Sequence, residues 1–68
     1  MTENEAKVLA FAVNFRAEKG FSPSEVQFSE GTGLARNTIR NALKKLETYG
    51  YVRKLPKAWR GVEILRAA

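Results

Sequence analysis

Residues 36–48 read Arg36-Asn37-Thr38-Ile39-Arg40-Asn41-Ala42-Leu43-Lys44-Lys45-Leu46-Glu47-Thr48. Ile39, Ala42, Leu43 and Leu46 stand three and four apart, the spacing of one helix face. Arg36, Asn37, Arg40, Asn41 and Lys44 fall on a second stripe, opposite the apolar one. The pattern predicts a helix over 36–48 with one face for a core and one for something else. Tyr49-Gly50 follows as its stop. An ordinary solvated helix mixes charge signs so that residues four apart attract each other. From 36 to 45 this helix carries no acid at all.

Upstream, Gly31 and Gly33 close a short segment that opens at Ser22-Pro23. Serine then proline reads as N-cap and first helical residue, which predicts a helix over 23–31 that buries Val26 and Phe28. A short helix, a glycine turn and a second helix make a helix-turn-helix. Further back, Thr2-Glu3-Asn4-Glu5 is a capping box. Val8, Leu9, Phe11, Ala12, Val13 and Phe15 follow as a broad helical stripe. Arg16 and Lys19 suit the negative end of the helix dipole, and Gly20 ends the helix predicted over 3–19. The stripe is wider than one packing face needs. Leu9, Val13 and Phe11, with Tyr49 and Tyr51, are therefore candidate contacts of a homodimer. Downstream, 51–55 and 62–65 are β-favouring runs around a loop from Pro56 to Gly61. The expected fold is mainly α with a small β-hairpin: three helices plus a two-stranded wing, a winged helix-turn-helix, as one domain over 1–68.

Composition narrows the function classes. The chain has 68 residues and neither cysteine nor histidine. That removes disulfides, thiolate metal sites and the usual general base. There is no glycine loop for phosphates and no close carboxylate pair beyond the capping box, so neither an enzyme nor a cofactor is expected. No run approaches the roughly 18 apolar residues of a membrane span. The start of the chain is acidic, at Glu3 and Glu5, unlike a secretory signal. The expectation is a cytoplasmic, nucleoid-associated protein with no membrane partner. The net charge is +5, and it is polarised: residues 36–60 carry +7 and the remainder −2. A chain with one basic side suits a polyanion.

Residue types sharpen that to double-stranded DNA. In a helix-turn-helix the second helix enters the major groove and its first turns meet base edges. Arginine can bond guanine O6 and N7 together, and asparagine adenine N6 and N7. Arg36, Asn37, Arg40 and Asn41 are thus expected to read bases, and Lys44 and Lys45 to meet phosphates. Lys54, Lys57 and Arg60 of the hairpin would flank a phosphate track or minor groove. Trp59 either packs beneath the wing, stacks on sugar or base, or meets a partner protein.

From Pro23 to Val52 the chain resembles the winged-helix DNA-binding domain of GntR-type bacterial repressors. The shared residues are Pro23-Ser24-Glu25, Gly33, Arg36, Thr38-Ile39-Arg40, Ala42-Leu43, Leu46-Glu47, Gly50 and Val52. From Gly50 to Leu65 it resembles the DNA-binding domain of the repressor LexA, through Ala58, Arg60-Gly61 and Ile64-Leu65. The first resemblance implies DNA contacts at Arg36, Asn37, Thr38 and Arg40. It also exposes departures: Ala35 stands where such domains usually carry a Ser or Thr cap, and Val26 where many carry arginine. Together the resemblances imply sequence-specific DNA binding by a small transcription regulator acting by operator occupancy, without a small-molecule effector domain. The alternatives are a protein-interaction winged helix and a replication or excision accessory factor.

Overall fold

The computed structural model describes residues 1–55 and 62–66. The first helix, α1, spans Glu3–Lys19. Thr2 Oγ1 accepts from the Glu5 N–H at 3.2 Å, and Glu5 Oε1 accepts from the Thr2 N–H at 3.0 Å. The capping box anticipated from spacing is therefore closed in both directions. Gly20 ends α1 in the left-handed conformation.

Helix α2 spans Glu25–Thr32, and its start corrects the sequence reading. The N-cap is Ser24, not Ser22: Ser24 Oγ accepts from the Gln27 N–H at 3.3 Å, and Gln27 Oε1 accepts from the Ser24 N–H at 2.9 Å. Ser24-x-x-Gln27 is itself a capping box, and two reciprocal bonds outweigh the preference of proline for a first helical turn. Residues two apart lie about 200° around a helix, so Val26 and Phe28 take opposite sides. Phe28 and Thr32, four apart, point inward, while Val26 is 43% exposed rather than buried. Gly33 caps α2 at φ 75°, a conformation that would strain a side chain. Gly31 has a different role from the expected stop. It lies inside α2, and a Cβ there would run into the ring of Phe11.

Helix α3 spans Arg36–Thr48, as the spacing predicted, and its buried residues are Ile39, Ala42, Leu43 and Leu46. Strands β1 (Val52–Lys54) and β2 (Val62–Ile64) pair antiparallel, with Val52 opposite Ile64, Arg53 opposite Glu63 and Lys54 opposite Val62. Both are shorter than the β-favouring runs that announced them. The core joins α1 (Val8, Leu9, Ala12), α2 (Phe28), α3 and the hairpin (Val52, Val62). Burying a side chain of the size of Phe28 or Leu46 contributes about 1.5–3 kcal/mol. No helix among the described residues is long and apolar enough to cross a membrane.

The broad α1 stripe finds most of its partners inside the domain. Leu9 is 2% exposed and cannot serve a dimer contact. Phe11 is half-buried, its ring 5.7 Å from that of Phe28, and Val13 is half-buried against the core. A small domain needs this many apolar residues because so little of its surface is hidden.

Candidate nucleic-acid interface

The turn between α2 and α3 sets how α3 is presented. Thr32 Oγ1 donates to the Phe28 carbonyl at 2.6 Å and accepts from the Leu34 N–H at 3.2 Å. Ser29 Oγ donates to the Leu34 carbonyl at 2.8 Å. Leu34, half-buried against the core, is thus held by two hydrogen bonds while the chain reverses. Neither Ser29 nor Thr32 stood out in the sequence. Hydroxyls in the last turn of a short helix are an available signal, because they bond locally to backbone groups.

With four buried residues fixing its rotation, α3 turns its opposite side outward. At about 100° per residue, Asn37, Asn41 and Lys44 form the crest, and all three are exposed. Arg36 and Arg40 run along the edge toward α2, with side chains 58% and 56% exposed. Thr38, half-buried, and Lys45 run along the other edge, where they line a shallow groove with Thr2, Asn4 and Glu5 at the start of α1. All seven α3 positions singled out in the sequence lie on this one surface.

The helix lacks an acid on this face, but the surface does not. Glu25, the first residue of α2, reaches across to α3. Its Oε2 accepts from Arg40 Nε at 3.2 Å and its Oε1 from Arg40 Nη2 at 3.0 Å. Arg36 Nε lies 4.0 Å from the same carboxylate. The Arg40 hydrogen bonds, with the charges of Arg40, Arg36 and Lys54, hold the Glu25 carboxyl below its usual pKa against a smaller opposing effect of burial. The contact joins residues fifteen apart on two helices, so no spacing within either helix announces it. The acidic residue at the first position of α2 was the available signal.

The start of α3 is bare. Ala35 occupies the N-cap position and makes no side-chain cap bond, and the first turn carries no acid. The N–H groups of the first turn therefore lack the side-chain acceptor that α1 and α2 each have.

On the hairpin, Arg53 Nη2 donates to Glu63 Oε1 at 2.6 Å across the strand pair. Glu47, the one acid of the basic segment, accepts from the Lys54 backbone N–H at 3.0 Å. Lys54 is exposed and close enough to Glu25 to influence its ionisation. Lys57, Trp59 and Arg60 lie outside the described residues.

A family model of the LexA DNA-binding domain matches residues 1–61. The chain belongs to this family. The LexA likeness, read in the sequence only in the wing, thus extends over all three helices. The LexA repressor of Caldicellulosiruptor saccharolyticus is 33% identical over 66 residues, which are 96% of this chain and 33% of that protein. The LexA repressor of Geobacillus sp. strain WCH70 is 34% identical over 68 residues, 98% of this chain and 33% of that protein. That of Bacillus mycoides is 35% identical over 66 residues, 96% and 32% respectively. The chain spans about a third of the length of these LexA repressors.

Proposed function

We propose that this LexA-type domain binds double-stranded DNA sequence-specifically, as part of a transcription regulator that acts by occupying an operator. One observation carries the reading: the residues of α3 able to bond base edges share a single exposed surface. Asn37 and Asn41 stand on its crest and Arg36 and Arg40 along one side. Membership of the family supports it, as do the repressor names of the relatives. Thr38 and the lysines at 44, 45 and 54 would hold the phosphate backbone and fix the register. Lys57, Trp59 and Arg60 would extend that contact from the wing.

One domain of this size covers roughly 600–1,000 Å² on DNA, which favours two copies on a two-fold site. With Leu9 buried, the α1 surface proposed for such pairing is reduced. Tyr49 and Leu65, 42% and 51% exposed, offer apolar surface at the base of the hairpin instead.

Selection of bound sites from random duplex DNA tests the function directly. A recovered motif confirms specificity, and an inverted repeat confirms pairing. Affinity for that motif must fall steeply with salt if several phosphates are neutralised. A pool that returns no motif, or binding indifferent to salt, refutes the proposal.

A further inference from the structure

The carboxylate of Glu25 is the unexpected element of the surface. It is an acid at the middle of a cluster formed by Arg36, Arg40 and Lys54, on the side of the molecule where a polyanion would approach. The cations stabilise it within the protein, but toward an approaching polyanion its charge is repulsive. Its place is nevertheless well determined. The reciprocal Ser24–Gln27 bonds fix the first turn of α2, and Glu25 is the residue that follows the cap.

The manner of its contact with Arg40 suggests why it is tolerated. A guanidinium has five N–H donors in a rigid plane. Glu25 engages one edge of that plane, the Nε and Nη2 side, with one oxygen on each nitrogen. The end of the plane, where Nη1 and Nη2 point in parallel, is not used by this contact. That end is itself a two-pronged donor of the kind that matches guanine O6 and N7. Arginine on a bare helix face samples many rotamers, and ordering it on binding costs entropy. A carboxylate on its side edge removes that freedom beforehand without consuming the end.

We propose that Glu25 is a positioning residue for Arg40, gripping one edge of its guanidinium so that the other end meets a guanine edge in the major groove. The inference rests on the proposed insertion of α3 into DNA. It goes further by assigning a specificity role to a residue outside α3. The competing role is simple repulsion, in which Glu25 only weakens attraction to phosphates.

The test uses the duplex recovered by site selection, duplexes carrying each base-pair change within it, and a random duplex. Glu25→Gln, Arg40→Ala and the double variant are compared with the parent chain, each first checked for an intact thermal transition. Arg40→Ala identifies the base pair that Arg40 reads. Glu25→Gln is then expected to reduce discrimination at that pair about fivefold or more, within the range of one bidentate base contact. Binding to the random duplex should hold steady or strengthen, since a negative charge has gone. In the Arg40→Ala background the same change should leave discrimination unaltered. If Glu25→Gln strengthens all duplexes equally and keeps discrimination, repulsion is its role and the positioning proposal fails. If Arg40→Ala weakens preferred and random duplexes equally, Arg40 reads no base. In that case base reading by Arg40 fails, and the positioning proposal with it.

Discussion

The two helices of the helix-turn-helix are built on opposite plans. Helix α2 is closed at both ends: Ser24 and Gln27 satisfy each other's backbone at its start, and Gly33 caps its finish. Thr32 and Ser29 then tie the following turn. Helix α3 begins at Ala35 with no side-chain cap and no acid in its first turn. It is held almost wholly by the burial of Ile39, Ala42, Leu43 and Leu46. Apart from Glu25, which reaches Arg40, the polar bonds of the supporting helix close its own ends and the turn that follows. The presenting helix keeps its polar residues outward and depends on its neighbours for stability. That division leaves the asparagines and lysines of α3 facing outward, and it makes α2 the element whose damage should spread furthest.

The largest effect should therefore come from the core residue of α2. Phe28 is 1% exposed and packs against Phe11. Phe28→Ala should lower unfolding free energy by about 3–5 kcal/mol, enough to threaten folding in a domain of this size. Urea unfolding measures it. A loss under 1 kcal/mol would show that α2 does not anchor the pair and would break the contrast.

The turn comes next. Thr32→Val keeps the shape of a buried side chain but leaves the Leu34 N–H without its Oγ1 acceptor. The expected cost is about 1–3 kcal/mol. Because Leu34 directs the entry to α3, protection of the α3 amides from hydrogen exchange should fall together with that of α2. Loss confined to α2 would mean that α3 is held independently of the turn.

How far the sequence revealed these plans depended on the type of interaction. Periodicity placed α3, its four buried residues and its exposed stripe correctly, since a three-and-four repeat and a helix face are the same fact. Thr2 and Glu5 placed the start of α1 for a similar reason: the box is complete within four residues. Ser24–Gln27 was equally local, but Ser22-Pro23 offered a competing local signal, and only the bonds decide between them. Val26, 43% exposed, lies about 200° around α2 from the buried Phe28, so the two could not share its inner face. The Gly31–Phe11 approach and the Glu25–Arg40 bridge join separate elements, and no spacing along the chain encodes them. On α1, Leu9 is buried and Phe11 lies against Phe28, a residue far along the sequence, so the spacing of the stripe alone could not separate core from surface there.

The caps give a matched pair of smaller effects with opposite signs. Ser24→Ala removes the acceptor for the Gln27 N–H and should destabilise the domain by about 1 kcal/mol. Ala35→Ser supplies an acceptor at the bare start of α3 and should stabilise by about 0.5–1 kcal/mol. Thermal unfolding of both variants measures the asymmetry. If Ala35→Ser is neutral or harmful, the first turn of α3 already has its partners, and the contrast between the helices is weaker than the cap geometry implies.

The smallest expected effect lies where the two helices touch. The Glu25–Arg40 pair is exposed, so its contribution to stability is strongly screened by solvent and salt. Its pH dependence nevertheless has a definite sign. The Arg40 hydrogen bonds hold the pKa of Glu25 in the folded state below the ordinary value for a glutamate. In the window between the folded and unfolded pKa values, the unfolded chain binds more protons, so stability rises with pH there. The contribution is complete above the unfolded pKa and is lost as pH falls through the lowered folded one. The stability difference between the parent chain and Glu25→Gln should thus be flat near neutral pH and shrink as the solution is acidified below about 4.5. Added salt should shrink it at every pH. A difference that grows on acidification would mean that Glu25 is uncomfortable in its cationic surroundings, and that α2 and α3 meet there by packing rather than by charge.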